Sequence, residues 1–220
     1  MSPNKTAGSH PESTQPRTIN AEGIKRDIIV IGASAGGVVT LMELFAAFPP
    51  TLPAVVGVVL HRSVERGQLA HVLGRRSALS LIEPDRKTVL QRGYIYLAPP
   101  DHHLLFKAAG VVIQRGPKEH STRPAIDPLF RSAAASYGKR VVGVLLTGAG
   151  EDGVSGLIAI SKASGVTLIQ DPEEAYMPHM PLNALKMDDV NGVFQIKEMA
   201  PTLAALAAGE RVILGTKKQR

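Results

Sequence analysis

The chain has 220 residues, of which 44% are hydrophobic and 20% charged, and a formal net charge of +6; this is enough apolar material for one sizeable domain and too much for wholesale disorder. It contains no cysteine, so disulfides, thiolate nucleophiles and cysteine-held metal centres are excluded. No apolar run approaches the roughly 20 residues that span a bilayer, and the N-terminus has no apolar stretch of a secretory signal. We therefore expect a cytoplasmic protein with no membrane insertion.

The positive charge lies mainly at the two ends of the chain. Residues 1–26 hold four basic and two acidic side chains, and residues 210–220 hold four basic and one acidic side chain. Residues 27–209 hold 17 basic and 16 acidic side chains and are nearly neutral. Nucleic acids are bound through clustered cations that neutralise phosphates, so this distribution argues against a nucleic-acid partner.

The composition divides the chain into three parts. We expect residues 1–26, which are rich in Ser, Thr, Pro and Asn, to form a disordered arm, because they cannot bury enough apolar surface to offset the entropy of ordering. Residues 27–213 form the predicted folded domain, and residues 214–220 form a basic tail.

The domain begins with a strand–helix–strand pattern. A β-branched run over 27–32 predicts a strand buried on both faces, followed by a helix over 38–48 and a second buried strand over 54–60. Short strands are expected over 79–82 and 94–97, and a hairpin from strands 103–107 and 111–115.

The remaining pattern again alternates between helices and strands. It predicts helices over 126–137, 154–163 and 201–208. It predicts strands over 141–147, 166–170 and 193–196, with a loop over 171–181. The whole order predicts an α/β fold: a doubly wound, mainly parallel sheet with helices on both faces and a small antiparallel hairpin excursion.

Ser34 is a candidate nucleophile because of the loop in which it stands. In doubly wound sheets ligands bind outside the carboxyl ends of the strands, and Gly32-Ala33-Ser34-Ala35-Gly36 joins the first strand to the first helix. This G-x-S-x-G pattern is typical of a nucleophile on a tight turn, with helix N–H groups available to an oxyanion. Because glycine-rich turns of this kind also bind phosphate, a nucleotide-binding domain is an alternative.

His61 and Asp152 follow two other buried strands. A histidine at the end of a neighbouring strand can take the proton of Ser34, and a carboxylate can hold the imidazole in the useful tautomer. His61 also occupies the place where dinucleotide-binding folds usually carry an acidic residue. The simpler alternatives are a loop histidine without catalytic role and an aspartate that caps the next helix; Glu151 is a rival to Asp152.

Six segments carry a family resemblance. They are IGASAGG at 31–37, LH at 60–61, YIYLAPPDHHL at 94–104, RPAIDPLFRSAA at 123–134, GVLLTGAGEDGVSG at 143–156 and QDPEEAYMPHMPLNAL at 170–185. In this order they resemble the catalytic domain of CheB, the chemotaxis protein-glutamate methylesterase. The resemblance implies a serine esterase that hydrolyses glutamate γ-methyl esters on methyl-accepting chemoreceptors to glutamate and methanol, with Ser34, His61 and Asp152 as its triad.

The chain departs from the family pattern at two positions near the triad. Ala35 stands where the family usually has Thr, and Ala149 where it usually has Met. Backbone N–H groups near Ala35, Gly36 and Ala149 can still form an oxyanion hole, because an N–H does not depend on the side chain. Arg123 is a candidate for substrate binding or for a structural ion pair, and Met180 for lining the cleft or for packing. We expect no cofactor and no metal.

The resemblance also suggests partners. Full-length members carry an N-terminal phosphoacceptor receiver domain, whereas 26 residues precede the first predicted strand here, so we expect a stand-alone catalytic domain. Its expected partners are the methylated cytoplasmic helices of chemoreceptors, and a separate response regulator is a candidate. Glutamine deamidation is a possible second activity, and the alternative function is a catalytically weak or inactive CheB-like regulatory protein.

Overall fold

The computed structural model describes residues 18–20, 22–63, 67–85, 87–186 and 190–213. The predicted tail at 214–220 and residues 1–17 of the predicted arm lie outside the described residues. The strands are β1 (Thr18–Ile19), β2 (Ile28–Ala33), β3 (Val55–Leu60), β4 (Ser80–Ile82), β5 (Tyr94–Leu97), β6 (His103–Lys107), β7 (Gly110–Gln114), β8 (Val141–Leu145), β9 (Val166–Gln170), β10 (Gly192–Phe194) and β11 (Val212–Ile213). The α-helices are α1 (Gly37–Ala46), α2 (Leu69–Gly74), α3 (Ile126–Tyr137), α4 (Val154–Lys162), α5 (His179–Lys186) and α6 (Ile196–Ala208).

A seven-stranded parallel sheet forms the centre of the molecule, in the order β10-β9-β8-β2-β3-β5-β4. All six residues of β2 are buried. Ile29 and Ile31 pack in the core that holds α1, α2 and α6, whereas Ile28 and Val30 pack in the core that holds α3, α4 and α5. Because both faces are covered, the strand is apolar throughout and shows no alternation.

A two-stranded antiparallel hairpin, β6–β7, lies outside the main sheet. Leu104 and Phe106 of β6 pack in the same core as Leu129 and Phe130 of α3. The predicted fold class is therefore confirmed, including helices on both faces and the antiparallel excursion. No helix within the described ranges combines the length and apolar character that crossing a bilayer requires.

The disordered arm predicted over 1–26 is wrong for its described C-terminal part. Thr18–Ile19 pairs antiparallel with Val212–Ile213. The Arg26 side chain is buried and donates hydrogen bonds to the carbonyl oxygens of Lys139 and Ser164, the latter at 3.0 Å. A two-residue strand has no periodicity, so composition alone could not indicate this pairing.

Three helical segments also differ from the predictions. α2 was not predicted, α5 begins inside the loop predicted over 171–181, and α6 begins at Ile196, five residues before the predicted start. Pro181 and Pro201 explain the last two differences, because proline in a sequence usually marks a helix start or stop. In the structure Pro181 lies in the first turn of α5, where its missing N–H costs nothing, and Pro201 lies inside α6.

The site is positioned by the order of the strands. β2 has β3 on one side and β8 on the other, so the chain leaves β2 in one direction and later returns to its opposite side. The carboxyl ends of these three parallel strands meet at this topological switch point, which is where such sheets bind ligands.

Candidate active site

Strand register brings the loops after β2, β3 and β8 level with one another. Ala33 is paired with Leu60, and Gly32 with Leu145. Beyond the strand ends, the His61 N–H donates to the Ala33 carbonyl at 3.0 Å and the Ser34 N–H donates to the Thr147 carbonyl at 2.9 Å. These bonds hold the backbone of Ser34 and His61 against the sheet.

The side chains of Ser34, His61 and Asp152 form one hydrogen-bonded series. His61 Nδ1 lies 3.1 Å from Ser34 Oγ, and His61 Nε2 lies 2.7 Å from Asp152 Oδ2. An ionised carboxylate only accepts hydrogen bonds, so Nε2 carries the proton and donates it to Asp152. Nδ1 is then left with its lone pair toward the Ser34 hydroxyl.

Asp152 is held as an anion by its surroundings. Its side chain is 2% exposed, and its Oδ2 and Oδ1 accept the backbone N–H groups of Ile126 at 2.7 Å and Asp127 at 3.0 Å. Burial alone raises the pKa of Asp152, but the hydrogen bonds from His61 and from these two N–H groups outweigh it and bring the pKa below its ordinary value. Asp152 thus also caps a helix, but the helix is α3 and not α4, which follows it in the chain.

The turn that carries Ser34 depends on two glycines. Gly36 has a φ of +81°, which side chains other than glycine rarely adopt. A Cβ on Gly37 would lie 2.6 Å from Leu60 Cδ1 and 2.8 Å from Ala33 Cβ. Ser34 itself is half-buried, so the turn presents its hydroxyl at the edge of the sheet.

Met180 packs behind the turn that carries Ser34. It is fully buried, and its N–H donates to the Gly148 carbonyl at 2.9 Å, while the Gly148 N–H donates to the Met177 carbonyl at 2.9 Å. The Met180 sulfur lies against Gly148, which in turn lies against Ser34. Of the two alternatives for Met180, its burial favours packing.

Three backbone N–H groups beside Ser34 are available to a ligand. Within the described part of the chain, the N–H groups of Ala35, Gly36 and Ala149 donate to no protein acceptor, whereas those of Ser34 and Gly148 are used by the bonds above. Ala35 and Ala149 are exposed. Loops with unpaired N–H groups next to a nucleophile can stabilise a developing oxyanion.

Arg123 is engaged within the protein. Its Nε donates to Asp101 Oδ1 at 2.8 Å, and its NH1 group donates to the Gly116 carbonyl at 2.6 Å. The hydrogen bond from Arg123, together with the charge of nearby Arg115, keeps the pKa of Asp101 below its ordinary value despite partial desolvation. These contacts favour a structural ion pair over substrate binding as the role of Arg123.

Sequence reasoning missed three residues around the site. The Asp127 side chain is 1% exposed and accepts from His120 Nε2 at 3.0 Å, and Thr122 Oγ1 lies 3.4 Å from His61 Nε2. Tyr176 is 78% exposed and lies against Gly36. Asp127 stands in the first turn of a helix, where acidic residues are common, so the pattern gave no sign of its role.

Only one group of described residues offers the donor types of a metal site. One donor atom from each of His120, Asp127 and Asp152 lies within 4.8 Å of the other two. The carboxylates already accept two backbone N–H groups each, in addition to a histidine nitrogen. We assign no metal to this group, because an ion would have to displace these bonds.

The fold is that of an α/β protein with a doubly wound sheet. At its switch point a hydroxyl, an imidazole and a carboxylate lie in series, which is the arrangement that serine hydrolases use. The chain belongs to the CheB methylesterase family, whose family model, described as CheB methylesterase, matches residues 29–203. This finding confirms the resemblance carried by the six segments.

Individual relatives agree with this assignment. The chain is 32% identical over 185 residues to a protein-glutamate methylesterase/protein-glutamine glutaminase of Pyrococcus abyssi, covering 81% of this chain and 50% of the relative. It is 31% identical over 176 residues to a putative protein of the same name from Leptospira interrogans, covering 79% of this chain and 91% of the relative. The chain thus spans about half the length of the Pyrococcus relative.

A solved structure shows the same fold. The CheB methylesterase catalytic domain of Thermotoga maritima is 29% identical and superposes with a TM-score of 0.78, covering 82% of this chain and 98% of that domain.

Proposed function

We propose that this protein is a serine esterase that hydrolyses glutamate γ-methyl esters on the cytoplasmic helices of methyl-accepting chemoreceptors. The observation that carries the proposal is the position of His61, whose two ring nitrogens lie 3.1 Å from Ser34 Oγ and 2.7 Å from Asp152 Oδ2. Family membership and the names of the relatives support the choice of ester. Among the described histidines, only His61 is hydrogen-bonded to Ser34.

In the first half of the reaction, Ser34 Oγ attacks the ester carbonyl carbon while His61 Nδ1 takes the hydroxyl proton. Asp152 stabilises the imidazolium that forms. When the tetrahedral intermediate collapses, the bond from carbon to the methoxy oxygen breaks and that oxygen takes the proton from Nδ1. Methanol leaves, and the glutamyl group remains esterified to Ser34.

In the second half, water takes the place of methanol. Its oxygen attacks the acyl carbon and its proton passes to His61 Nδ1. The bond from carbon to Ser34 Oγ then breaks, and Oγ regains the proton. One water is consumed for each methanol and glutamate formed.

Charge on the carbonyl oxygen develops in both halves. The unpaired N–H group of Ala35 lies on the turn that carries Ser34, and that of Ala149 lies on the neighbouring loop after β8. We assign both, with the N–H of Gly36, to the oxyanion. The two departures from the family pattern leave this role intact, because alanine provides the same backbone donor as threonine or methionine.

The direct test uses chemoreceptor carrying radiolabelled methyl esters and measures the release of labelled methanol. We expect Ser34→Ala to lower release by at least about 10³-fold, whereas Ser155→Ala, which changes an exposed serine on α4, keeps it. Equal release by wild type and Ser34→Ala would refute the nucleophile. No release by wild type would instead favour the regulatory alternative.

Deamidation of glutamine is the second candidate activity, because the relatives are named protein-glutamine glutaminases as well. The same steps then apply to a γ-carboxamide, with ammonia as the leaving group. Incubation of unmethylated receptor and measurement of ammonia, with Ser34→Ala as the control, tests it separately from ester hydrolysis.

A further inference from the structure

Two buried aspartates cap each other's helices at the back of the site. Asp152, which precedes α4, accepts the first two N–H groups of α3. Asp127, which lies in α3, accepts with Oδ1 the N–H groups of Gly153 at 3.1 Å and Gly156 at 2.6 Å at the start of α4. The exchange ties the segment that carries Asp152 to α3 from both sides.

Neither helix has a cap from its own chain segment. Ala125 and Gly153, the residues at the N-caps of α3 and α4, make no side-chain cap hydrogen bond. Gly153 has a φ of +96°, and a Cβ there would lie 2.6 Å from Leu145 Cδ1, so a serine or aspartate is disfavoured at that position. At the start of α4 the Val154 N–H donates to the Glu151 carbonyl at 3.1 Å, whereas the N–H groups of Gly153 and Gly156 depend on Asp127 for their acceptor.

A second glycine lets Asp127 reach α4. A Cβ on Gly156 would lie 2.4 Å from Phe130 Cβ and 3.1 Å from Asp127 Oδ1. The missing side chain allows α3 to lie directly against the first turn of α4, so that a short carboxylate in one helix spans to the backbone of the other.

A histidine and an arginine face the Asp127 carboxylate. His120 Nε2 lies 3.0 Å from its Oδ2, and Arg131 NH1 lies at 3.8 Å. Arg131 is itself bound to both carboxylate oxygens of Glu119. The positive ends of two helices also meet at this carboxylate.

We propose that Asp127 is a positioning residue of the active site. Its carboxylate fixes the start of α4 and thereby the place of Asp152, which orients the ring of His61. We do not expect Asp127 to touch the substrate. Its expected effect on catalysis rests on the proposed function. Because it acts through His61, its loss should lower kcat and leave KM nearly unchanged.

Substitution by Ala and by Asn separates positioning from charge. We expect Asp127→Ala, which removes both acceptors, to lower kcat by about 10–100-fold with KM changed less than about 3-fold. Asp127→Asn should keep kcat within about 3-fold of wild type, since its amide oxygen still accepts from Gly153 and Gly156. A matched control is Asp27→Ala, because Asp27 is also a buried aspartate, 3% exposed against 1% for Asp127, and it precedes β2.

An NMR readout makes the test independent of activity. The ring signals of His61, assigned with His61→Gln, should shift in Asp127→Ala, and its Nε2 proton should exchange faster; both should stay at wild-type values in Asp27→Ala. If wild type lacks esterase activity, the proposed function fails while this readout still tests positioning. Wild-type kcat and unchanged His61 signals in Asp127→Ala would overturn the proposal.

A second variant covers the case in which Asp127→Ala does not fold. Asp127→Glu keeps the charge and displaces the carboxylate by one methylene, so it should also lower kcat and shift the His61 signals. A folded Asp127→Glu with wild-type kcat and wild-type His61 signals would likewise overturn it.

Discussion

Gly148 packs against Ser34 so closely that a Cβ on the glycine would lie 2.8 Å from the Cβ of the serine. The same atom would lie 2.1 Å from the Met180 sulfur. Gly148 in the loop after β8 therefore lies directly against the turn that carries Ser34, and the contact leaves no room for a methyl group.

Gly148→Ala is accordingly expected to displace Ser34. We expect a fall in kcat of at least about 10-fold and a loss of about 1–3 kcal/mol in the free energy of unfolding, which is the usual cost of overpacking. Methanol release and urea denaturation measure the two effects. Gly74→Ala is the control, since a Cβ there meets its nearest neighbour at an ordinary 3.7 Å; equal activity of the two variants would contradict the argument.

Arg123 is predicted to stabilise the fold and not to bind substrate. Its guanidinium is bonded to Asp101 and to the Gly116 carbonyl, so Arg123→Ala should lower the melting temperature and leave KM for the methyl ester within about 2-fold. Because the two residues share one interaction, the effects of Arg123→Ala and Asp101→Asn on stability should not add. A KM raised tenfold at an unchanged melting temperature would favour substrate binding instead.

We expect the interactions of Asp27 with two arginines to make a pH-dependent contribution to the free energy of unfolding. It accepts hydrogen bonds from Arg140 and Arg92 at 2.7–3.0 Å. Burial alone would raise the pKa of Asp27, but these bonds and charges bring it below its ordinary value. A lowered folded-state pKa means that the stabilisation is complete above the unfolded-state pKa, about 3.9, and is lost as the pH falls through the folded-state pKa.

Asp27→Asn should therefore destabilise the protein at pH 7 by about 1–3 kcal/mol, and the difference from wild type should shrink below about pH 4. Urea denaturation of both proteins at pH 7 and pH 3 measures it. A difference of the same size at both pH values would show that the charge of Asp27 does not contribute.

The main strands were predictable because a strand that is buried on both faces consists almost entirely of apolar residues. β2, β3, β8 and β9 are short β-branched runs bounded by turns, and parallel pairing sends their carboxyl ends to one edge. The placement of Ser34, His61 and Asp152 in the loops at that edge could be predicted from the order of the strands. The distances between their side chains could not be predicted, because they depend on loop conformation.

The missed features depend on partners far away in the chain. Thr18–Ile19 is a strand only because Val212–Ile213 lies beside it. Asp127 resembles an ordinary first-turn acid until α4 is packed against α3. The signal for the start of α6 was present, since the Gln195 N–H donates to Glu198 Oε2 at 3.3 Å in the spacing of a capping box, but Pro201 concealed it.

The pairing of β1 with β11 has a practical consequence for engineering. Thr18 lies opposite Ile213, and residues paired across an antiparallel ladder are only about 5 Å apart. In a variant from which residues 1–17 and 214–220 are removed, a linker of a few residues can therefore join Thr18 to Ile213, and the resulting ring can be opened at the exposed Arg75–Arg76 turn. Such a circular permutant would keep the candidate active site at the edge of the sheet while moving the chain ends to another surface.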